Sequence, residues 1–141
     1  MKQHILILRG ISGSGKTTYA KRICREQGYK RVNRDDLREM LFGLSPEQYY
    51  KTSGIGTREN IITGVQNLLI EHLLELGESV VVDNTNLKES VVKSFNSLGV
   101  ETIVETLDVP LETAIQRDLK RERTVGRQVI EKQFKQLNNG K

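Results

Sequence analysis

Eight consecutive residues constrain this chain more than any others. Gly10, Ile11, Ser12, Gly13, Ser14, Gly15, Lys16 and Thr17 follow G-x-x-x-x-G-K-[ST] without departure. Before them, His4 to Arg9 reads HILILR, a short run of mostly branched apolar residues ended by glycine, as expected of a strand buried on both faces. After them, Tyr19, Ala20, Ile23 and Cys24 recur on one helical face, and Gly28 stands where a C-terminal glycine cap belongs. A glycine-rich turn between a buried strand and a helix N-terminus is a phosphate cradle: glycines let the backbone amides point inward, and the helix dipole favours an anion. Lys16 is expected on the β- and γ-phosphates of ATP or another nucleoside triphosphate, and the Thr17 hydroxyl on magnesium. Gly10, Ser12, Gly13, Ser14, Gly15 and Thr18 complete the expected ATP-binding loop.

The rest of the chain alternates in the same way. Tyr29 to Val32, Ser79 to Val82 and Glu101 to Leu107 read as further strands; Asp35 to Phe42, Lys88 to Leu98 and Leu111 to Lys120 read as helices. Ser45 to Gly56, with a proline and two glycines, reads as a loop. Ile61, Ile62, Val65, Leu68, Leu69, Leu73 and Leu76 repeat at helical spacing up to Gly77, which predicts the longest helix. Strands alternating with helices predict an α/β fold of three layers: a small parallel sheet of about four strands with helices on both faces.

At 141 residues, the length suits one compact domain spanning 1–141 with one active site. No apolar run approaches the roughly 18 residues of a membrane span, and the sequence opens directly on strand-like residues with no signal peptide, so a cytoplasmic location and no membrane partner are expected. Cys24 has no second cysteine to pair with and reads as a small core residue; His4 and His72 read as structural, with no metal-ligand spacing. The net charge of +4 favours anionic partners. More telling, Arg117, Lys120, Arg121, Arg123 and Arg127 crowd into one segment, the pattern of a mobile arginine lid over approximately 117–127 that stabilises charge on a transferring phosphoryl group.

Further features suggest transfer to an alcohol. Asp83 closes an apolar strand, where a parallel sheet presents its ligand-facing loops, and suits the water shell of magnesium. Asp35, in Asn33-Arg34-Asp35-Asp36-Leu37-Arg38, suits a general base for an attacking hydroxyl, with Asp36 a candidate helix cap. Arg38, three residues on, projects from the same helical face and would suit a phosphate on the acceptor. Asn84, Thr85 and Asn86 offer polar side chains to an acceptor pocket, and Tyr49 and Tyr50 offer rings to a base.

Together, GISGSGKTT, NRDDLR, ITGVQ, DNTNL, LDVP and the spaced arginines resemble the kinase module of the phage-type polynucleotide kinases over essentially the whole length. The resemblance implies an adenylate-kinase-like P-loop fold and an ATP- and magnesium-dependent kinase that phosphorylates the 5′-hydroxyl end of DNA or RNA by in-line attack, with Asp35 as general base. It implies that Arg38 binds the phosphate on the acceptor's 3′ side, that Arg121 is the lid arginine on the donor phosphates beside Arg117, and that Val125 and Thr85 contact the acceptor's base and phosphate. Some relatives carry the functional acid directly before Thr-Asn, where this chain has Asn84, so the role falls to Asp83. No D-x-D-G-T phosphatase motif occurs, so kinase activity alone is expected, in a monomer or weak dimer. The rival expectations are a P-loop kinase of another alcohol, seryl-tRNA or a small molecule, and an ATP-driven switch without an acceptor.

Overall fold

The alternation of apolar runs and amphipathic segments becomes a layered fold in the computed structural model, which describes residues 2–122 and 124–139. The order is β1 (His4–Arg9), α1 (Lys16–Gln27), β2 (Lys30–Val32), α2 (Arg34–Phe42), α3 (Pro46–Tyr49), α4 (Ile55–Glu75), β3 (Val80–Asp83), α5 (Glu89–Ser94) with a 3-10 turn at Phe95–Leu98, β4 (Glu101–Thr106), α6 (Leu111–Leu119) and α7 (Arg127–Asn139). The four strands form one sheet in the order β2-β3-β1-β4, parallel at every pairing.

Strand periodicity decides the layers. Ile5 and Ile7 of β1, Val80 and Val82 of β3 and Val32 of β2 share one core with Ile70 of α4, Val92 of α5 and Phe95. The alternate residues Leu6, Leu8 and Val81 share another with Ala20 and Ile23 of α1. Each fully buried branched side chain contributes roughly 1.5–3 kcal/mol on leaving water, so the continuous apolar strands need helices on both faces. A third cluster joins Ala114 and Ile115 of α6 and Ile130 and Leu137 of α7 to Ile11 and Leu87, which lie just beyond β1 and β3. That cluster brings the arginine-bearing segment over the carboxyl ends of the strands.

The three-layer α/β expectation holds, α4 is the longest helix as expected, and two local expectations are corrected. The 45–56 segment is not a loop throughout. Ser45 accepts from the Gln48 amide while the Gln48 side chain accepts from the Ser45 amide, and this capping box, with Pro46 in the first turn, nucleates α3. Helix α4 then starts at Ile55, and one face of it meets the sheet: Ile62, Ile70 and the polar Gln66 are buried and Leu73 and Leu74 pack on the same core, whereas Ile61, Leu68, Leu69 and Leu76 are exposed. The cap of α2 is Asn33, whose Oδ1 accepts from the Asp36 amide at 2.8 Å; Asp36 instead pairs with Arg31. Among the described residues no helix is long and apolar enough to cross a membrane.

Candidate active site

The cradle is built from close approaches that only glycine permits. Gly13 has φ +83°, and a Cβ there would overlap the Ala114 carbonyl of α6; a Cβ on Gly10 would lie 2.8 Å from the Leu107 carbonyl oxygen. Gly15, at φ +97°, turns the chain into α1. The loop's tip is tied from α7, where Gln133 Oε1 accepts from the Ser12 amide at 2.8 Å, and from α6, where Arg117 Nη1 donates to the Gly13 carbonyl at 3.2 Å. Gln133 lines the same cavity as the loop and has no counterpart in the sequence motif.

Lys16 is buried and curls back over the loop, its Nζ donating to the carbonyls of Gly10 and Ile11, both at 2.8 Å, and to Ser14 Oγ at 3.3 Å. Burial lowers its pKa to about 8, against the opposing pull of Asp83. Thr17 Oγ1 donates to Asp83 Oδ2 at 3.0 Å, and Arg31 Nε donates to the same oxygen at 2.8 Å. The second oxygen, Asp83 Oδ1, is buried without a hydrogen-bond partner. A hydroxyl beside a buried carboxylate with an open oxygen is a hard-oxygen donor set that fits a divalent cation held partly through water. Among the described residues no group of three or more His, Cys, Asp or Glu gathers as a self-sufficient metal site, so the remaining ligands of such a cation would come from phosphate oxygens and water.

Across the cavity, α2 presents Asp35 and Arg38. Arg38 Nη1 donates to Asp35 Oδ1 at 2.7 Å, while its Nε and Nη2 donate to Glu59 Oε2 and Oε1 at 3.0 and 2.8 Å. Glu59 also accepts the Tyr49 hydroxyl at 2.6 Å and pairs with Arg34 at 3.3 Å. Burial alone would raise the Glu59 carboxyl, but the hydrogen bonds from Arg38 and Tyr49 outweigh it and hold the pKa at about 2. Burial opposes the charge on Arg38, and the same carboxylates more than restore it. Tyr49 is wholly buried in this cluster and so has no face for a base; Tyr50 is partly exposed and lines the cavity.

The loop after β3 closes the wall between the two sides. Asn84 Oδ1 accepts from the Arg34 amide at 2.8 Å and its Nδ2 donates to Gln66 Oε1 at 2.9 Å, which fastens α2 to α4. Thr85 lines the cavity, and its carbonyl accepts from the Gly10 amide at 3.1 Å. Asn86 does not line it. With φ at 50° its amide turns inward to the Leu8 carbonyl at 2.6 Å, so the residue staples β1 to the loop after β3 and the expected acceptor contact is corrected.

The arginine-rich segment is held by Asp118, which is buried and accepts from the Val125 amide at 2.9 Å and the Gly126 amide at 3.0 Å; Arg121 lies 3.8 Å from it. Arg117, Arg121 and Val125 all line the cavity, whereas Arg127 pairs outward with Glu112. Arg123, a member of the expected lid, lies outside the described residues. Thr124 Oγ1 meets Glu47 Oε2 of α3 at 3.0 Å, which joins this segment to the α2–α3 side across the mouth.

One cavity of about 380 Å³ therefore collects Ser12, Gly13, Gly15, Lys16, Thr17, Thr18, Asp83, Arg117 and Arg121 from the triphosphate side and Asp35, Arg38, Thr85 and Val125 from the other. Gly10 and Ser14 shape the loop from behind. Sequence reasoning missed Glu59, Gln133, Arg31, Asp118 and Gln66. Glu59, Gln133, Arg31 and Gln66 act through side-chain bonds to residues far along the chain, Asp118 through amides seven and eight residues on, and only Gln66 carried a signal, as part of ITGVQ.

A parallel sheet whose inner strand runs into this cradle, facing an acid and an arginine on α2 within one cavity, defines the class: a P-loop phosphotransferase of the small-kinase fold. The chain belongs to the AAA domain family, whose model AAA_33 matches residues 5–140. It is 35% identical, over 96% of its length, to a protein of Autographa californica nuclear polyhedrosis virus named as a bifunctional polynucleotide kinase/RNA ligase, and covers 21% of that protein. A chain of the solved Pnkp1/Rnl/Hen1 RNA repair complex is 32% identical and superposes with a TM-score of 0.80, over 98% of this chain and 45% of that one. An L-seryl-tRNA(Sec) kinase of Methanococcus maripaludis is 25% identical over 95% of this chain and 52% of the relative. The chain thus spans from about a fifth to about half the length of these proteins.

Proposed function

We propose that residues 1–141 act as a single kinase module, which transfers the γ-phosphate of ATP to the 5′-hydroxyl end of a DNA or RNA strand. The observation that carries this reading is the shared cavity: Lys16 and Arg121 on one side, Asp35 and Arg38 on the other, with room for the reacting groups between. Similarity to a protein named for polynucleotide kinase activity supports the choice of acceptor.

In this reading Lys16 leaves the Gly10 and Ile11 carbonyls for the β- and γ-phosphates. Thr17, with Asp83 through water, would hold magnesium, which shields the phosphate charges when bound. Arg38 takes the acceptor's 3′-side phosphate, Thr85 lies beside it, and Val125 contacts the terminal base. Asp35 accepts the proton of the 5′-hydroxyl as that oxygen bonds to the γ-phosphorus, in line with the breaking bond to the β–γ bridging oxygen, and ADP departs with that electron pair. Arg117 and Arg121 stabilise the charge on the transferring group while the 117–127 segment covers it.

The test is transfer of labelled γ-phosphate from magnesium ATP to a 5′-hydroxyl oligonucleotide, beside a 5′-phosphorylated control and the Asp35→Ala variant. Label on the 5′-hydroxyl acceptor alone, reduced by roughly 10²–10⁴ in Asp35→Ala, is expected. Absence of label on any oligonucleotide, with ATP still bound, would sink the reading in favour of a tRNA-linked or small alcohol. Full transfer by Asp35→Ala would remove the general base.

A further inference from the structure

We propose that Glu59 is the positioning residue of the acceptor site, holding Arg38 so that the guanidinium and Asp35 are presented together to a phosphate-bearing acceptor. The inference rests on the acceptor reading above. Glu59 acts from behind: Arg38 and Asp35 line the cavity, whereas Glu59 and Tyr49 do not. Arg38 is only 7% exposed, which makes its orientation a matter of which partners hold it.

The hydrogen count favours this division of labour. A guanidinium carries five N–H groups. Glu59 takes one from Nε and one from Nη2, and Asp35 takes one from Nη1. One N–H on each terminal nitrogen is left for two oxygens of a phosphate. Glu59 is itself immobilised by the Tyr49 hydroxyl and Arg34, and Tyr49 is pinned in the core against Phe42. The positioning signal thus runs from a buried aromatic ring to a carboxylate to the arginine at the cavity wall.

Removing the Glu59 charge leaves Arg38 paired with Asp35, because among the described residues its ion pairs are with these two acids. A buried cation then settles on the carboxylate that remains. That would turn the fork away from the acceptor phosphate, while Asp35 keeps the Arg38 bond it already has at 2.7 Å.

The experiment compares a nucleoside 3′-monophosphate with the same nucleoside lacking the phosphate, as acceptors for the unaltered protein, Glu59→Gln and Glu59→Asp. For Glu59→Gln, kcat/KM for the phosphorylated acceptor is expected to fall at least about tenfold, mainly through KM, with the unphosphorylated acceptor and the KM for ATP each changed by less than about twofold. Glu59→Asp should recover part of the loss. Should Glu59→Gln fail to fold, Tyr49→Phe removes one bond to Glu59 and keeps the buried ring; a loss of about two- to fivefold, confined to the phosphorylated acceptor, is then expected. Equal losses on both acceptors, an equal loss for ATP, or no change in KM overturn the proposal alone. Failure of the unaltered protein to phosphorylate either acceptor overturns the acceptor reading and the proposal with it.

Discussion

The two sides of the cavity are built on opposite principles. The triphosphate side is made of backbone: a run of nine neighbouring residues, Gly10 to Thr18, whose glycines permit contacts no side chain would allow, and one buried cation left at a cost, Lys16, whose pKa burial depresses to about 8. The acceptor side is made of side chains drawn from α2, α3 and α4, in which Glu59 satisfies Arg34, Arg38 and Tyr49 together. On the first side Lys16 donates to two carbonyls and a hydroxyl; on the second the arginines are already paired with carboxylates. A site can therefore meet one substrate with a buried cation held by neutral acceptors and the other with charges that are paired in advance.

The largest effect should come from the triphosphate side. Lys16→Met should lower phosphoryl transfer by roughly 10³-fold, the scale of losing one donor to a developing charge, measured by steady-state kinetics. The same variant should be more stable than the unaltered protein without nucleotide. A lysine depressed from 10.5 to about 8 in the folded state costs stability below pH 8, and the cost fades as pH rises toward 10.5. Denaturant unfolding at pH 7 and pH 10.5 should show that advantage shrinking; an advantage that stayed constant would break the contrast between the two sides.

Gly13→Ala should cost about 3 kcal/mol in chemical unfolding, since a side chain at φ +83° meets the Ala114 backbone. It should weaken ATP binding as well. On the paired side a lowered pKa is a gain in stability rather than a cost, and its window lies at acid pH. A carboxyl held at about 2 against 4.5 unfolded contributes stability that is complete above pH 4.5 and is lost as pH falls toward 2. Glu59→Gln should accordingly be less stable at pH 6, and the gap should close on acidification in thermal unfolding scans. The smallest effect belongs to the bridge across the mouth: Thr124→Val removes its bond to Glu47 and should cost about 0.5–1 kcal/mol, leaving ATP affinity unchanged in a nucleotide titration.

This division also governs what the sequence disclosed. The triphosphate side is local, so its residues spell it in order, and the flanking strand and helix follow from periodicity. On the acceptor side, the three-residue spacing of Asp35 and Arg38 was legible because α2 places both on one face. Glu59 lies twenty-one residues beyond Arg38, through a segment whose glycines concealed the Ser45–Gln48 capping box, and no local pattern joins them. Asn86 misled for a related reason: its residue type suits a pocket, but its left-handed backbone aims the amide at Leu8. Asp118 was hidden among arginines, where an acid reads as charge balance rather than as the tie that gathers the Val125 and Gly126 amides.

The strand order bears on how such a unit enters larger architectures. The cradle follows β1 and Asp83 ends β3, the two inner strands, while β2 and β4 form the borders of the sheet. New segments can accrue along either border, or at the chain ends, without rewiring the loops where the substrates meet. Lineages can then splice this unit beside other activities while its chemistry stays intact. The viral relative named as bifunctional is matched by this chain over about a fifth of its length.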